Sequence, residues 1–471
     1  MDTQNPVTSP SRGGSARRFL ILGACLILGV LGVTLSGDLA HSPLLVIGLW
    51  LALGVLWGCA LLWARGFNRG RSMLLPILVV AVSMRALALC AEPNLSDDVW
   101  RYVWEGGLVL EGKSPYAQAP DDPSLAKERE QWSVAYDRMN NKDVSAAYPP
   151  VTQAAVAAVV GAMGGSEQPD RARFGLRILF SCADLLALIP LLALLRRRGL
   201  PDALLVSWAW CPLVVFEFAS SAHLDSLGIL FLLSALALLD RPLALPKEQS
   251  SRVFLGLLSL SAAFLVKFLP LLAFPFVLRR RTVGASLSSA LTLACLIALG
   301  FLPVLALEGG LSGILDGLAN YGLRWESWNL IHRHVEPIFS MWGDRDGTWS
   351  DPRKLSKLFT GGLAALWMLR LIVRREEPVR ATGLALAAFL IVSPTLHPWY
   401  LTWIIPFLAF SKGRAWMFLV IASPLLYWPL TSWQLVGTWT EPVWLWPLVA
   451  LPFFGLLLSD YKRNRSAPHA R

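Results

Sequence analysis

Long apolar runs constrain this chain more than any other feature of its sequence. A helix needs about 17 to 25 apolar residues to cross the hydrocarbon core of a bilayer. Hydrophobic residues make up 55% of the 471 positions and charged residues only 16%, whereas soluble domains have roughly 45 to 50% and 25%. The sequence therefore predicts an all-α, polytopic membrane protein with about 11 to 14 transmembrane helices. The clearest runs are Phe19–Ser36, Leu44–Trp63, Met73–Cys90, Phe174–Leu195, Ala285–Leu305 and Val443–Leu458.

Lys and Arg residues occur in short clusters between the apolar runs, which predicts the orientation of the chain. Cytoplasmic loops carry the excess of positive charge, so the segments between the clusters are predicted to lie outside. The net charge of +10 is thus explained by membrane topology and not by a nucleic-acid partner. The clusters are Arg17–Arg18, Arg65–Arg71, Arg196–Arg198, Arg241–Arg252, Arg279–Arg281, Arg374–Arg375, Lys412–Arg414 and Lys462–Arg465.

Two expectations keep this alternation consistent. Residues 151–165 are too short to span comfortably, so they are predicted to lie along the outer surface as a juxtamembrane helix. Residues 252–278, which are basic at both ends, are predicted to be two short helices broken near Lys267–Pro270. A single tilted helix there would reverse every later segment.

These boundaries divide the chain into seven segments. They are a cytoplasmic tail (1–18), transmembrane helices 1 to 3 (19–91), an extracytoplasmic catalytic loop (92–170), further transmembrane helices (171–305), a second extracytoplasmic loop (306–355), C-terminal transmembrane helices (356–459) and a cytoplasmic tail (460–471). The first apolar run is expected to be retained as a helix and not cleaved as a signal. All six cysteines lie in apolar runs and are interpreted as small core residues, not as disulfides or metal ligands.

Adjacent carboxylates follow the third apolar run, in LSDDVWRYVWEGG. In a helix that starts there, Asp98 shares a face with three later side chains, and this spacing predicts an ion pair with one carboxylate left over. Partial desolvation and a second acid both raise the pKa of a carboxylate, so Asp98, or else Asp97, is a candidate general base. The alternative is that these acids cap a surface helix. The three side chains are Arg101, Tyr102 and Glu105.

Aromatic and hydrogen-bonding residues mark the outer segments as a candidate sugar site. Tyr148 ends the first loop in AAYPPV, and the second loop reads NYGLRWESWNLIHRH. Aromatic faces beside polar groups suit a sugar ring, but Trp and Tyr also anchor any membrane interface, so both interpretations stay open. The residues of the second loop are Tyr321, Arg324, Trp325, Trp328 and Asn329.

Ionisable residues at the ends of other spans are functional candidates. SSAHLDSLG contains His223 and Asp225, and SPTLHPWYLTW contains His397, Trp399 and Tyr400. His223, Lys267 and His397 are predicted to hold a phosphate by charge-assisted hydrogen bonds. No metal site is predicted, because the spacing matches no known ligand pattern and no fourth ligand is near. Arg85 and Asp184, which lie within spans, are predicted to form a structural ion pair.

Six motifs of this sequence, in their order, resemble the bacterial polyprenyl-phosphate-dependent α-mannosyltransferases of the GT-C superfamily. The resemblance extends from about Arg85 to Phe410. The motifs are SDDVWRYVWEGGLVLEGKSPY, AYPPV, HLDSLG, VKFLPLLAFPFVLRRR, RWESWN and SPTLHPWYLTWIIPFL.

The resemblance implies a GT-C fold in the inner (plasma) membrane, a polyprenyl-phosphate sugar donor and a glycolipid or lipid-linked glycan acceptor. No cofactor is predicted, and the sequence leaves metal dependence open. The family pattern reads Ser, Asp or Thr, Asp, two residues, Arg and Tyr, so Asp98 matches the catalytic acid and Asp97 a variable position. Glu105 stands where an Asp is usual, which bears on acceptor contacts. The implied substrate-binding set is Arg101, Tyr102, Glu105, Tyr148, His223, Asp225, Lys267, Arg324, Trp325, Asn329, His397, Trp399 and Tyr400.

The resulting hypothesis is an inverting hexosyl transfer on the extracytoplasmic side. Asp98 deprotonates the acceptor hydroxyl, while Lys267, His397 and Arg324 hold the donor phosphate. The identification of the transferred sugar as mannose rests on the resemblance alone. Three alternative classes remain: a transporter or flippase of a lipid-linked sugar, a non-catalytic envelope assembly factor, and a GT-C enzyme that glycosylates protein. Only the break at Lys267 favours the transporter or flippase.

Overall fold

The computed structural model is helical throughout the residues that it describes. These are residues 12–36, 41–67, 73–92, 95–240, 246–278, 282–345 and 348–466, without the side chains of 12–16, 246–249, 278, 323–324 and 464–466. No strand occurs in these ranges, only a single bridge between Ser327 and Thr395. The α-helices are α1 (Arg12–Leu35), α2 (Pro43–Ala64), α3 (Leu74–Leu89), α4 (Asp98–Leu110), α5 (Ala126–Gln131), α6 (Ser133–Arg138), α7 (Pro150–Ala162), α8 (Pro169–Leu186), α9 (Leu188–Arg197), α10 (Val206–Ala209), α11 (Pro212–Val215), α12 (Asp225–Leu239), α13 (Pro246–Val266), α14 (Phe274–Leu278), α15 (Val283–Leu305), α16 (Gly310–Arg324), α17 (His332–Phe339), α18 (Pro352–Val373), α19 (Pro378–Val392), α20 (Ala415–Ala422), α21 (Trp428–Val436) and α22 (Leu445–Ser466).

The helices include six that are long and apolar enough to cross a membrane, and a seventh span if the bent pair Asp202–Ala209 and Pro212–Ser220 is counted as one. The predicted all-α polytopic architecture is therefore confirmed. Six further apolar helices are shorter, at 10 to 17 residues, and one of them is the predicted juxtamembrane helix α7. The predicted 11 to 14 crossings require that most of the others also span. The six long candidates are Arg17–Leu35, Pro43–Ala64, Pro169–Arg197, Val283–Leu305, Pro352–Val373 and Ala415–Val436.

The loops that carry the positive clusters contact one another. Arg198 forms ion pairs with Asp240 at 2.6 Å and with Glu377. Arg65 donates a hydrogen bond to the carbonyl of Ser411 at 2.9 Å, four residues before the start of α20. Loops predicted to share the cytoplasmic side thus meet at one end of the bundle, as the charge distribution requires.

The predicted break near Lys267 is confirmed. Helix α13 ends at Val266, a 3₁₀ turn occupies Leu269–Ala273 and α14 follows. Proline at position 270 lacks the amide hydrogen that a continuous helix would need, which explains the change of backbone geometry. The break places Lys267 directly after the last residue of α13.

Helix α7, the predicted juxtamembrane helix, packs closely against α4. The contact depends on small residues, because a Cβ at Gly106 would lie 3.2 Å from the backbone of Val156 and Ala157. A Cβ at the next residue, Gly107, would lie 2.6 Å from the Trp132 ring. The two glycines therefore let α7 and the first loop fold over α4. The position of α7 along the membrane surface stays a prediction.

Two predictions about buried residues have different outcomes. Arg85 and Asp184 form the expected buried pair, with both carboxylate oxygens accepting from the guanidinium at 2.8 and 3.0 Å. The interpretation of the cysteines as core residues is wrong for five of the six. All six are free, but only Cys211 is buried, because helices that face lipid expose apolar side chains on their outer surface.

Candidate active site

A cavity of about 750 Å³ lies at the end of the bundle where the predicted outer segments meet. This volume is within the range of small-molecule sites. Its wall combines the start of α4, the end of the first loop, the Lys267 break, the second loop and the His397 turn. Ten of the predicted site residues line it: Asp97, Asp98, Arg101, Glu105, Tyr148, Lys267, Trp325, His397, Trp399 and Tyr400.

Four of the other five predicted residues are absent from the cavity wall. Tyr102 is buried behind it with its ring 5.6 Å from that of Tyr148. Asn329 is buried elsewhere and its side-chain oxygen accepts from the Arg333 amide. His223 and Asp225 lie directly behind cavity residues, as described below. The side chain of Arg324 lies outside the described residues.

Backbone hydrogen bonds join the second loop to the His397 turn. Ser327 donates its amide to Pro394 at 3.3 Å and accepts from the amide of Leu396 at 2.8 Å. The Thr395 hydroxyl adds a bond to the Trp325 carbonyl at 2.7 Å. These contacts bring Trp325 and His397, which are 72 positions apart in the sequence, to the same cavity.

Asp98 begins α4, but the aspartates do not cap it. The N-cap residue Asp97 makes no side-chain capping bond, and the amide of Asp98 instead donates to the Ser96 hydroxyl at 3.2 Å. Most of α4 is buried, from Val99 to Leu108. The alternative in which these acids cap a surface helix is therefore wrong, and both carboxylates are left to face the cavity.

Asp98 lies against a buried chain of polar side chains. Its Oδ2 is 3.6 Å from His223 Nε2, the distance of an ion pair and too long for a hydrogen bond. The other ring nitrogen of His223 is 2.9 Å from Glu217 Oε2, and the Tyr427 hydroxyl donates to the second oxygen of Glu217. His223 and Glu217 are fully buried, whereas the Asp98 side chain is 20% exposed. Of these three ionisable groups, Asp98 alone is therefore exposed to a substrate, and Tyr427 lines the same cavity.

The two aspartates differ in acidity. Burial would raise the pKa of Asp98, but the imidazole of His223 and the guanidinium of Arg101 outweigh it and hold the pKa below the usual value. Burial and the neighbouring charge of Asp98 raise the pKa of Asp97 to about 6. The sequence-based reasoning that a raised pKa would mark Asp98 is thus wrong, because it lacked the buried His223.

His223 carries a positive charge at neutral pH. Burial alone would lower its pKa, but the carboxylates of Asp98 and Glu217 raise the pKa to about 9. Glu217 stands in a segment that bends through a π-helix at Phe216–Ser220, a rare geometry that is frequent at functional sites. This bend places Glu217, an acid within an apolar run, beside His223.

Arg101 and Glu105 organise the wall and do not pair with the aspartates. Arg101 Nη1 is 3.4 Å from Glu105 Oε1 and donates to the Val144 carbonyl at 3.0 Å. Gln153 donates to the other oxygen of Glu105 at 2.7 Å, and burial raises the pKa of this glutamate. The predicted ion pair therefore exists with Glu105 as its acid, and both aspartates remain without an arginine hydrogen bond.

Lys267 supplies a cation to the cavity. Its ammonium is 2.7 Å from Asp225 Oδ1 and 4.6 Å from the centre of the Tyr400 ring. The Tyr400 hydroxyl shares a hydrogen bond with that of Tyr321. Asp225 thus orients the lysine from behind, while the ammonium keeps further donors for a ligand in the cavity.

His397 differs from its predicted role as a cationic phosphate ligand. Burial lowers its pKa to about 4, so the imidazole is neutral at pH 7. Its ring stacks on Trp399 with centroids 4.4 Å apart, and the opposite face of Trp399 is 4.1 Å from His223. A neutral His397 still offers one N–H donor.

The aromatic side chains of the second loop occupy two different environments. Tyr321 and Trp325 line the cavity, with their ring centroids 5.0 Å apart. Trp328 is 3% exposed and belongs to the hydrophobic core. Neither arrangement is that of residues that only anchor a membrane interface, and the Tyr321–Trp325 stack suits the face of a sugar.

Sequence reasoning missed three residues of this site. Glu217 and Tyr427 complete the chain behind Asp98, and Asn140 donates to Asp98 Oδ1 at 3.5 Å. An acid inside an apolar run is a functional candidate by default, so Glu217 carried a signal. Tyr427 and Asn140 carried none, because the chain brings them to Asp98 from distant positions.

The fold and the site are those of a membrane enzyme that acts on a sugar: a polytopic helical bundle encloses an ionised carboxylate, a cation and aromatic faces. Comparison with known families makes this more specific. The family model described as alpha-(1->6)-mannopyranosyltransferase, N-terminal domain, matches residues 18–281, and the model described as MptB C-terminal domain matches residues 339–428. The chain belongs to this α-(1→6)-mannopyranosyltransferase family and is a mannosyltransferase, as the resemblance implied. No curated protein and no solved structure matches it.

Family membership also decides between the predicted classes. The family is one of enzymes, so the transporter, flippase and assembly-factor alternatives are not supported. The predicted glycosyltransferase class and the membrane location are confirmed.

Proposed function

We propose that this enzyme transfers mannose from a polyprenyl-phosphate donor to a lipid-linked glycan on the extracytoplasmic side of the inner (plasma) membrane, with inversion and with Asp98 as general base. The single observation that carries the proposal is that an ionised carboxylate, Asp98, and an ammonium group, Lys267, line the same cavity as stacked aromatics. Base, phosphate ligand and sugar platform are the groups that this reaction needs.

The proposed step is one displacement at the anomeric carbon. The acceptor oxygen forms a bond to C1 while the bond from C1 to the phosphate oxygen breaks, and the polyprenyl phosphate leaves with the electron pair. Asp98 accepts the hydroxyl proton. Because attack and departure take place on opposite faces of the sugar, the configuration inverts.

The low pKa of Asp98 suits a transition state with positive charge on the sugar ring. An acceptor hydroxyl becomes acidic only as its bond to C1 forms, so the carboxylate has to be ionised beforehand more than it has to be strongly basic. His223 maintains that ionised state from behind, and Asn140 contacts the other oxygen. His223 and Asn140 together thus hold Asp98 as an oriented carboxylate that can accept a proton.

Lys267 is proposed to stabilise the leaving phosphate. Negative charge accumulates on the phosphate as the glycosidic bond breaks, and a pre-oriented cation is worth most at that point. His397 would add an N–H donor as a neutral imidazole. Leu426 and Leu430 line the same cavity, which offers the prenyl chain an apolar path between the bilayer and the phosphate.

The extracytoplasmic placement is supported by the two ends of the bundle. The cavity is built from segments that lack positive clusters, whereas the arginine-containing loops meet each other elsewhere. Positive loops stay in the cytoplasm. The acceptor therefore has to reach the extracytoplasmic side, either linked to a lipid or exported in another way.

The direct test uses purified protein in lipid nanodiscs. We expect radiolabelled mannose to move from synthetic polyprenyl-phosphate-mannose to a glycolipid fraction of bacterial membranes, and we expect no transfer from a soluble nucleotide-mannose. Transfer from the nucleotide sugar but not from the lipid donor would overturn the donor assignment. Absence of transfer from any lipid-phosphate sugar would overturn the proposed function.

The pH profile identifies which aspartate acts and tests the buried chain behind it. With Asp98 as base, kcat/KM is expected to stay level between about pH 5 and 8. It should fall as His223 loses its proton near its pKa of about 9, because the ion pair that positions the Asp98 carboxylate is then lost. If Asp97 were the base, kcat/KM would instead decrease as the pH is lowered and reach half its maximum near the Asp97 pKa of about 6. Steady-state rates across this range distinguish the two.

Glu217→Gln is the matching variant, because glutamine keeps the size of Glu217 and removes its charge. Loss of that charge lowers the pKa of His223, so the alkaline fall in kcat/KM should move to lower pH while the KM for the donor changes little. Glu111→Gln, at the exposed residue that follows α4, is the control for the loss of a glutamate charge. An unchanged alkaline limb in Glu217→Gln would contradict a positioning role for this residue.

A further inference from the structure

Three potential metal ligands converge in the second loop, next to the cavity wall. Each of Glu326, His332 and Glu336 offers one ligand atom, and these atoms lie within 4.8 Å of one another. His332 and Glu336 are one turn apart in α17, and Glu326 lies in the segment between α16 and α17. None of the three belongs to the proposed transfer step.

His332 carries an unpartnered nitrogen that points into this group. Its side chain is fully buried, and Nε2 is 2.8 Å from the Ser356 hydroxyl. That hydroxyl also lies 3.1 Å from the Arg353 carbonyl. When it donates its single hydrogen there, Nε2 carries the ring proton, and this is the tautomer that a metal site requires. Nδ1 then presents a bare lone pair, has no hydrogen-bond partner and lies 3.9 Å from Glu336 Oε2.

A lone pair that faces carboxylate oxygens is repulsive unless a cation lies between them. Glu326 Oε1 is likewise buried without a hydrogen bond. The nearest ammonium, Lys357 Nζ, is 3.8 Å from that oxygen and donates to the Gly322 carbonyl at 2.6 Å. Arg345 contacts the Oε1 of Glu336 at 2.5 Å, which leaves the Oε2 directed at His332. Internal ion pairs therefore do not satisfy the facing atoms.

We propose that Glu326, His332 and Glu336 bind a divalent transition-metal cation of the zinc class. One imidazole nitrogen and two carboxylate oxygens are a three-ligand set that zinc accepts, with water in the fourth position. Ligand atoms of a tetrahedral site are about 3.3 Å apart, so small side-chain rotations would close the present group around an ion. Ser356 on His332 and Arg345 on Glu336 are the outer contacts that orient metal ligands.

The position of the site defines its role. Glu326 lines the cavity between Trp325 and Ser327, and Ser327 pairs with the His397 turn. A cation held by Glu326 and α17 would fix the loop that presents Trp325 to the sugar. The metal acts on substrate only through this positioning.

Metal binding is tested on the full-length protein with a purification tag that contains no histidine. After treatment with EDTA, the protein is incubated with ZnCl₂ and desalted, and metal is counted by mass spectrometry. We expect about one Zn²⁺ per chain and a higher melting temperature with zinc. His332→Asn should lose both effects, whereas His334→Asn should retain them, because His334 packs on Trp446 and is not one of the three clustered ligands.

Glu336→Gln is the second variant, in case His332→Asn does not fold, and it should reduce zinc affinity at least tenfold. Equal zinc content in wild type, His332→Asn and Glu336→Gln would overturn the proposal, as would a wild type that takes up no zinc. Both readouts are made without donor or acceptor, so they do not depend on the proposed transfer reaction.

Discussion

Replacing Asp98 with asparagine is expected to lower kcat for mannosyl transfer by about 10² to 10⁴-fold, the usual contribution of a general base. Asparagine keeps the shape of the side chain and can still meet Asn140, but it cannot accept the proton of the acceptor hydroxyl. The Asp98 side chain is the exposed member of the buried chain that runs through His223 to Glu217. No other group in that chain reaches the cavity to replace it.

Asp97→Asn is the matched control for this variant. Both aspartates line the cavity, but only Asp98 is held ionised by His223, so Asp97→Asn should retain most activity. Initial rates of transfer, donor binding and melting temperature are measured for wild type and both variants. Loss of transfer in Asp97→Asn with retention in Asp98→Asn would assign the base to Asp97, and equal loss of donor binding in Asp98→Asn would point to a binding role.

Replacing Lys267 with methionine is expected to lower kcat/KM for the lipid donor by about 10² to 10³-fold, as does removal of one donor that stabilises developing charge. Methionine has a similar length but cannot bond the leaving phosphate. The effect should appear in kcat and not only in KM, because negative charge on the phosphate grows towards the transition state. Transfer rates over a range of donor concentrations separate the two parameters.

Lys267→Met also removes the counter-charge of Asp225, which is 1% exposed and keeps a hydrogen bond from the Trp403 indole. A buried acid without a counter-charge destabilises the fold. The double variant Lys267→Met/Asp225→Asn separates the two effects, because it should restore the melting temperature but not the transfer rate. Lys127→Met, at an exposed residue of the first outer loop, controls for the loss of a lysine charge. Recovery of activity in the double variant would show that Lys267 serves only to neutralise Asp225.

The candidate site was predictable where its residues carry local signals. The acids after the third apolar run, the aromatics of the second loop and the histidine of SPTLHPWYLTW could each be found because charged or aromatic groups beside a span are costly or specialised. Ten such residues line one cavity. Asn329 could not be separated from its neighbours in this way, since a loop sequence does not state which side chains turn inwards.

Acidity was not predictable from the sequence. Asp97 and Asp98 are adjacent and chemically identical, and burial acts on both, yet their pKa values move in opposite directions because only Asp98 meets His223. The same holds for His397, which burial keeps neutral. Desolvation and partner charges depend on distances across the fold, and the order of residues does not specify them.

The sequence alone determined that this protein is a polytopic helical membrane protein, with positive loops set apart from the segments that carry its polar motifs. Hydrophobic length and charge distribution are enough for this, because a bilayer leaves the backbone little choice. The tertiary structure decided which residues meet. The π-helix beside His223, the bridge from Ser327 to Thr395 and the approach of Glu326 to α17 depend on packing between segments far apart in the chain, and such contacts exist only once the helices have assembled.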